Sequence, residues 1–212
     1  MNLRFYSRLS SPGGLTLLEV SVALAISGIV IGALWMVVST TLFNQGVAKL
    51  EQGIINTSSR IREYFRDRPI SVDAGAVTNV NMLGLNLVAP ELIVNGGIGY
   101  NLAVGGTNAI TITYNNALCN PAGLASLSNN FLMTLFAVRD DACQTLLPDL
   151  IGSRAQIESR GIIRTMVSNQ NVITTAVAGG VTTYDFNQAT AIKDCNLTPA
   201  TGVTIQICFL QN

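Results

Sequence analysis

Between Val20 and Val38 the chain runs for 19 residues without a charge, and this stretch limits what the molecule can become. As an α-helix it covers about 28 Å at about 1.5 Å per residue, close to the bilayer hydrocarbon thickness of about 30 Å. The sequence therefore predicts a membrane-spanning helix. Arg4 and Arg8 precede it, and Asp and Glu are absent before Glu19. The N-terminus is thus expected to stay cytoplasmic and the bulk of the chain to be exported.

One carboxylate stands against this pattern. Glu19 immediately precedes the uncharged run, where an unpaired charge costs on the order of 2.5–3.5 kcal/mol on insertion scales. A plain reading places it at headgroup level, as an acidic residue favoured by the positive end of the helix dipole. The residues before it suggest a more specific one.

A secretory signal would end in a small-residue cleavage site after its apolar core, and Ser27-Gly28 and Ser39 fit that poorly. The leader "MNLRFYSRLSSPGG" ends instead in Gly13-Gly14, ahead of the apolar run. Gly14 followed by Leu15-Thr16-Leu17-Leu18-Glu19 resembles the processing site of type IV prepilins and their relatives. The resemblance implies cleavage between Gly14 and Leu15 by a prepilin peptidase, N-methylation at Leu15, and assembly roles for Thr16 and Glu19. The new ammonium group on Leu15 of a neighbouring copy would then neutralise Glu19. A buried charge that is satisfied in one register alone specifies that register.

The helical pattern does not stop at the membrane. Leu42, Phe43, Val47, Leu50, Ile54, Ile61, Tyr64 and Phe65 recur at three- and four-residue spacings, with charged residues filling much of the rest. That is an amphipathic helix, expected to end near Pro69. From Leu15 to Arg66 it is 52 residues, about 78 Å at about 1.5 Å each. Gly28 and Gly32 either permit close helix approach or lower local helix stability. Type IVa relatives usually carry a proline at the position held here by Met36, and this departure argues against that subgroup.

In the remainder, residues 70–107 read as connecting loop with short elements, including a small helix around Pro90 to Val94. Strands are expected at 109–115, 131–138 (as a central strand) and 202–210, with further strand-like segments in "GIIRTMV" and "NVITTAVA". Helices are expected over 139–152, capped by Asp140 or Asp141 and bent or shortened by Pro148, and over 184–195 with Asp185 near its start. Four cysteines, Cys119, Cys143, Cys195 and Cys208, suit two disulfides in an oxidising compartment. Spacing alone leaves three pairings open.

This order of elements resembles the type IVb pilins, the group containing the toxin-coregulated and bundle-forming pilins. That resemblance implies a Cys143–Cys195 bond, with Cys119 and Cys208 left as an additional pair. It further implies an α+β pilin fold, a long N-terminal helix packed on an antiparallel sheet. The expected organisation is a cleaved leader at 1–14, a membrane and assembly half-helix at 15–39, an amphipathic half at 40–68 and a globular head at 69–212. The implied partners are copies of the same chain in a filament, the peptidase, the inner membrane and its pilus assembly machinery. The implied location is the inner membrane and then the cell surface, where the fibre adheres or aggregates. A minor pilin or a type II secretion pseudopilin shares the processing signal.

The competing class is a signal-anchored exported enzyme or binding protein, and its residues are poor. The chain has no His, the commonest general base and metal ligand. Ser153 and Ser159 therefore lack an activating imidazole, and Asp140-Asp141 with Glu158 is the remaining acid pair. The pairs Gly96-Gly97, Gly105-Gly106 and Gly179-Gly180 precede no Lys-Ser/Thr and read as turns. Lys plus Arg and Asp plus Glu are both 12. Arg154, Arg160, Arg164 and Lys193 are too few for a basic stripe, so no nucleic acid is expected. No catalytic residue, cofactor or metal site is expected.

Overall fold

The computed structural model of the chain describes residues 16–67, 75, 77–102, 107–114, 116–119, 130–178, 181–196 and 202–211. Gly14, Leu15, the leader, Pro69 and the glycine pairs at 105–106 and 179–180 lie outside these residues. The chain divides into two compact units, Met1–Thr41 and Leu42–Asn212. Helix α1, Leu17–Tyr64, contributes its first part to one and its second part to the other.

In the first unit α1 has no buried face. Leu17, Leu24, Ile29, Trp35 and Val37 are all exposed, with Leu17 at 90 %. Hydroxyls in this apolar stretch are closed onto the helix itself: Ser21 donates to Leu18 O, Ser27 to Ala23 O and Thr40 to Met36 O. A side chain satisfied by its own backbone carries little polarity into an oily environment.

In the second unit the periodicity produces a face. Val47, Leu50, Ile54 and Ile61 of α1, with Phe65 beyond it, are buried in one cluster with residues of the sheet. Thr57 shares that face and is satisfied there, accepting from Ala89 N at 2.9 Å. Gly53 makes a notch for Leu92, since a Cβ at 53 would stand 2.7 Å from the leucine side chain.

Among the described residues the main sheet has seven strands. They are β1 (Ile93–Val94), β2 (Gly97–Asn101), β3 (Thr107–Thr113), β4 (Asn130–Val138), β5 (Ile162–Val167), β6 (Gln170–Asn171) and β9 (Val203–Leu210). They are ordered β1-β2-β3-β4-β9-β5-β6, and every neighbouring pair is antiparallel. The apolar run of β4 lies at the centre, paired along β9 from Asn130↔Leu210 to Val138↔Val203. Phe131 and Phe209 stack across that pair at 5.1 Å. A bulge between Leu135 and Val138 puts Ala137 at φ 55° and turns Phe136 outward. Gly202 presses on it, since a Cβ there would meet the Ala137 backbone at 2.7 Å. Two further strands, β7 (Ile173–Ala178) and β8 (Val181–Phe186), form a separate hairpin.

Helices complete the head: α2 (Asn79–Gly84), α3 (Asn116–Cys119), α4 (Asp140–Ile151), α5 (Arg154–Arg160) and α6 (Gln188–Cys195), with a 3-10 turn at Pro90–Leu92. Asn79 of α2 uses its amide as a short piece of strand, donating to Ile110 O and accepting from Ile112 N. It thereby covers part of the β3 edge, the kind of edge that otherwise recruits other chains. Pro148 is accommodated inside α4.

Several expectations are corrected here. The segment 184–195 is strand and then helix: Asp185 lies in β8, and α6 starts behind Asn187, whose side chain accepts from Thr190 N. The N-cap of α4 is Arg139, without a side-chain cap bond. Asp141 instead accepts from its neighbour Ala142 N at 2.8 Å. Segment 171–178 is split between β6 and β7, and α5, capped by Ser153 and ended by Gly161 at φ 65°, was not expected.

Candidate functional site at the start of the apolar helix

Thr16 and Glu19 are joined by three short bonds. Glu19 Oε2 accepts from Thr16 N at 2.8 Å and from Thr16 Oγ1 at 3.0 Å, and Glu19 N donates to Thr16 Oγ1 at 3.3 Å. With α1 beginning at Leu17, this is a capping box, in which an N-cap hydroxyl and an acid three residues on satisfy each other's backbone N–H. The sequence signal for it, Thr-x-x-Glu ahead of an apolar run, is present at 16–19. The box engages Oε2 and leaves Oε1 with no partner among the described residues. One oxygen fixes the carboxylate's orientation while the other stays available to a cation from outside the chain.

Behind Glu19 there is no further charge until Lys49. Fourteen large apolar side chains from Leu17 to Val38 are exposed. At about 1.5 kcal/mol for each one buried, covering them releases on the order of 20 kcal/mol. Among the described residues α1 is the helix long and apolar enough to cross a membrane. A Cβ at Gly28 or Gly32 would meet nothing within 4 Å, so no contact among the described residues explains either glycine.

The cysteines form two bonds, Cys119–Cys208 and Cys143–Cys195, and all four are fully buried. The first ties α3 to β9 and the second ties α4 to α6. Beside the second, Gln144 Nε2 donates to Asn196 Oδ1 at 2.7 Å.

Residues weighed for catalysis occupy other roles. Asp141 is bound by Arg139 at 2.6 Å in an open cleft of about 440 Å3 shared with Asp140, Gln144 and Asn196. Glu158 is paired with Arg154 at 2.7 Å. Ser153 caps α5, and Ser159 donates to Gln156 O. Gly96, at φ 78° after Asn95 at φ 51°, makes the tight turn between β1 and β2, where two successive positive φ values favour Asn-Gly. Arg164 donates to Asn171 Oδ1 and Leu118 O, bracing the segment that carries Cys119. Among the described residues no group of three or more Cys, Asp or Glu side chains is arranged to hold a metal.

Against known families, the prokaryotic N-terminal methylation motif matches residues 10–35, a span that takes in Gly14, Leu15, Thr16 and Glu19. No curated protein sequence matches the chain. The motif indicates a precursor of the type IV pilin or pseudopilin type, which prepilin peptidase processes. Together with the exposed apolar helix, it fits a membrane-anchored precursor.

Proposed function

We propose that the chain is the precursor of a structural subunit of a type IV filament, of the type IVb kind. Prepilin peptidase cleaves between Gly14 and Leu15 and methylates the new N-terminus. The subunit waits in the inner membrane and is then polymerised through residues 15–39 by the assembly machinery into a cell-surface fibre. In this reading it is the substrate of an enzyme and carries out no catalysis of its own.

One observation carries the proposal: a carboxylate, oriented by Thr16, opens an uncharged helix that the chain does not cover, inside a matched methylation motif. Such a helix needs an apolar surrounding, and such a carboxylate needs a cation within it. A bilayer supplies the first alone. A bundle of identical processed helices supplies both, the cation being the Leu15 ammonium of the next copy. The two disulfides suit a head displayed in an oxidising space.

Mass spectrometry of the protein from cells with and without the peptidase tests this. The expected mature chain starts at methylated Leu15 when the peptidase is present, and the unprocessed chain accumulates when it is absent. A start at Met1 in both strains, or after a small residue beyond Val38, overturns the reading. Filament abundance then separates a major subunit from a minor pilin or pseudopilin.

A further inference from the structure

Two half-buried arginines meet very different fates in this head. Arg160 is fully engaged, its Nη1 donating to Asp149 O and Leu150 O at 2.7 Å and its Nη2 to Glu51 at 3.2 Å. Arg62, in the last turn of α1, is not. Its Nε is sealed from solvent without an acceptor, and no ion pair reaches it among the described residues. Burial pulls its pKa below the ordinary arginine value, yet a guanidinium stays charged at neutral pH.

The position is built for this side chain. Gly161 holds a left-handed conformation, and a Cβ there would stand 2.5 Å from Arg62 Nη1. The guanidinium opens onto a cleft of about 370 Å3 lined also by Ser59, Glu63, Arg66 and Ser159. Glu63 and Arg66 are exposed and pair with each other at 3.4 Å, which leaves the cleft with the unopposed charge of Arg62. The C-terminal dipole of α1 offsets part of that charge but supplies no hydrogen bond to Nε. A half-buried donor left without a partner is destabilising in a single copy.

We propose that this cleft receives a carboxylate from the head of a second copy of the chain, with Arg62 as the donor. This rests on the filament reading above and adds a head-to-head contact to it. A second copy is favoured because the processed chain keeps 10 of its 12 Lys and Arg, Arg4 and Arg8 leaving with the leader, beside all 12 Asp and Glu, and among the described residues head carboxylates including Glu91, Asp140 and Asp149 have no ion-pair partner. Each copy therefore brings both halves of the pair.

The test compares Arg62→Gln with the unaltered full-length chain, in detergent micelles and as filaments. The expected result is an unchanged or raised melting temperature for the solubilised chain, because an unpaired charge is removed. Filaments should weaken, with a rise of about 30-fold or more in the concentration needed to assemble. Arg62→Glu should assemble poorly, and one of Glu91→Arg, Asp140→Arg or Asp149→Arg in the same chain should restore it. Parallel losses in micelles and filaments would mean a structural arginine, and no effect on filaments or no rescuing reversal overturns the proposal equally. Arg62-dependent protection by inorganic phosphate, with filaments indifferent to Arg62→Gln, would reassign the cleft to a small anion. An unaltered chain that never forms filaments sinks the filament reading itself.

Discussion

The two halves of α1 share one backbone conformation and differ in everything that surrounds it. From Leu42 to Tyr64 apolar residues return at helical intervals, and the chain's own sheet covers them, so that Ile54 and Ile61 are 0 % exposed. From Leu17 to Val38 apolar residues stand on every side and none is buried. A striped helix can be finished by its own polypeptide, whereas one that is apolar all round requires an apolar phase from elsewhere. The charges follow the same division. Glu51 finds Arg160 inside the chain, while among the described residues Glu19 has only its own cap.

The sharpest way to break this contrast is Glu19→Ala. It should abolish filament assembly and leave the head with both disulfides, measured by electron microscopy of sheared fibres beside non-reducing gel mobility. Normal fibres would remove the role given to the carboxylate. Next, replacing Cys143 and Cys195 by Ser opens a loop spanning 52 residues and should destabilise the head by about 4 kcal/mol in the chain-entropy model, seen as a lower thermal midpoint. A paired comparison along α1 follows. Ile54→Ala should cost about 2–5 kcal/mol of head stability, whereas Leu24→Ala, at an exposed position, should leave the midpoint in detergent unchanged. Similar losses from both would erase the distinction between the halves.

The smallest expected effect concerns Tyr100, which donates to Phe136 O at 2.7 Å beside the bulge. Burial raises its phenol above the ordinary value, so between the unfolded and folded pKa the native state holds a proton that the unfolded state has lost. Stability contributed there is complete below about pH 10 and declines as pH rises further. Tyr100→Phe should cost about 1 kcal/mol at neutral pH and flatten the alkaline decline in the thermal midpoint.

What the sequence displayed was whatever depends on neighbours along the chain. Helix α1 was legible from spacing and composition, ending two residues before the expected Arg66. Strands β4 and β9 were legible from an apolar run and an alternation. The start of α6 does not follow from local sequence because the limit of β8 is set by pairing with β7, and both Asp185 and Asn187 are residue types that cap helices. Helix α2 is too short to show a period and depends on the Thr78 cap and on Met82 reaching the core. At the candidate site, Glu19 stands out in the sequence as a lone charge, and its bond to Thr16 is carried by the Thr-x-x-Glu spacing at 16–19. The Arg62 cleft was not legible at all, since it needs Gly161, nearly a hundred residues away, to leave room for a guanidinium.

The two covalent bridges are nested, Cys143–Cys195 lying inside the span of Cys119–Cys208. A single peptide cut anywhere between Cys119 and Cys208 therefore leaves both pieces joined through sulfur. A head nicked once within that span sheds nothing, so the damage stays with the molecule that suffered it.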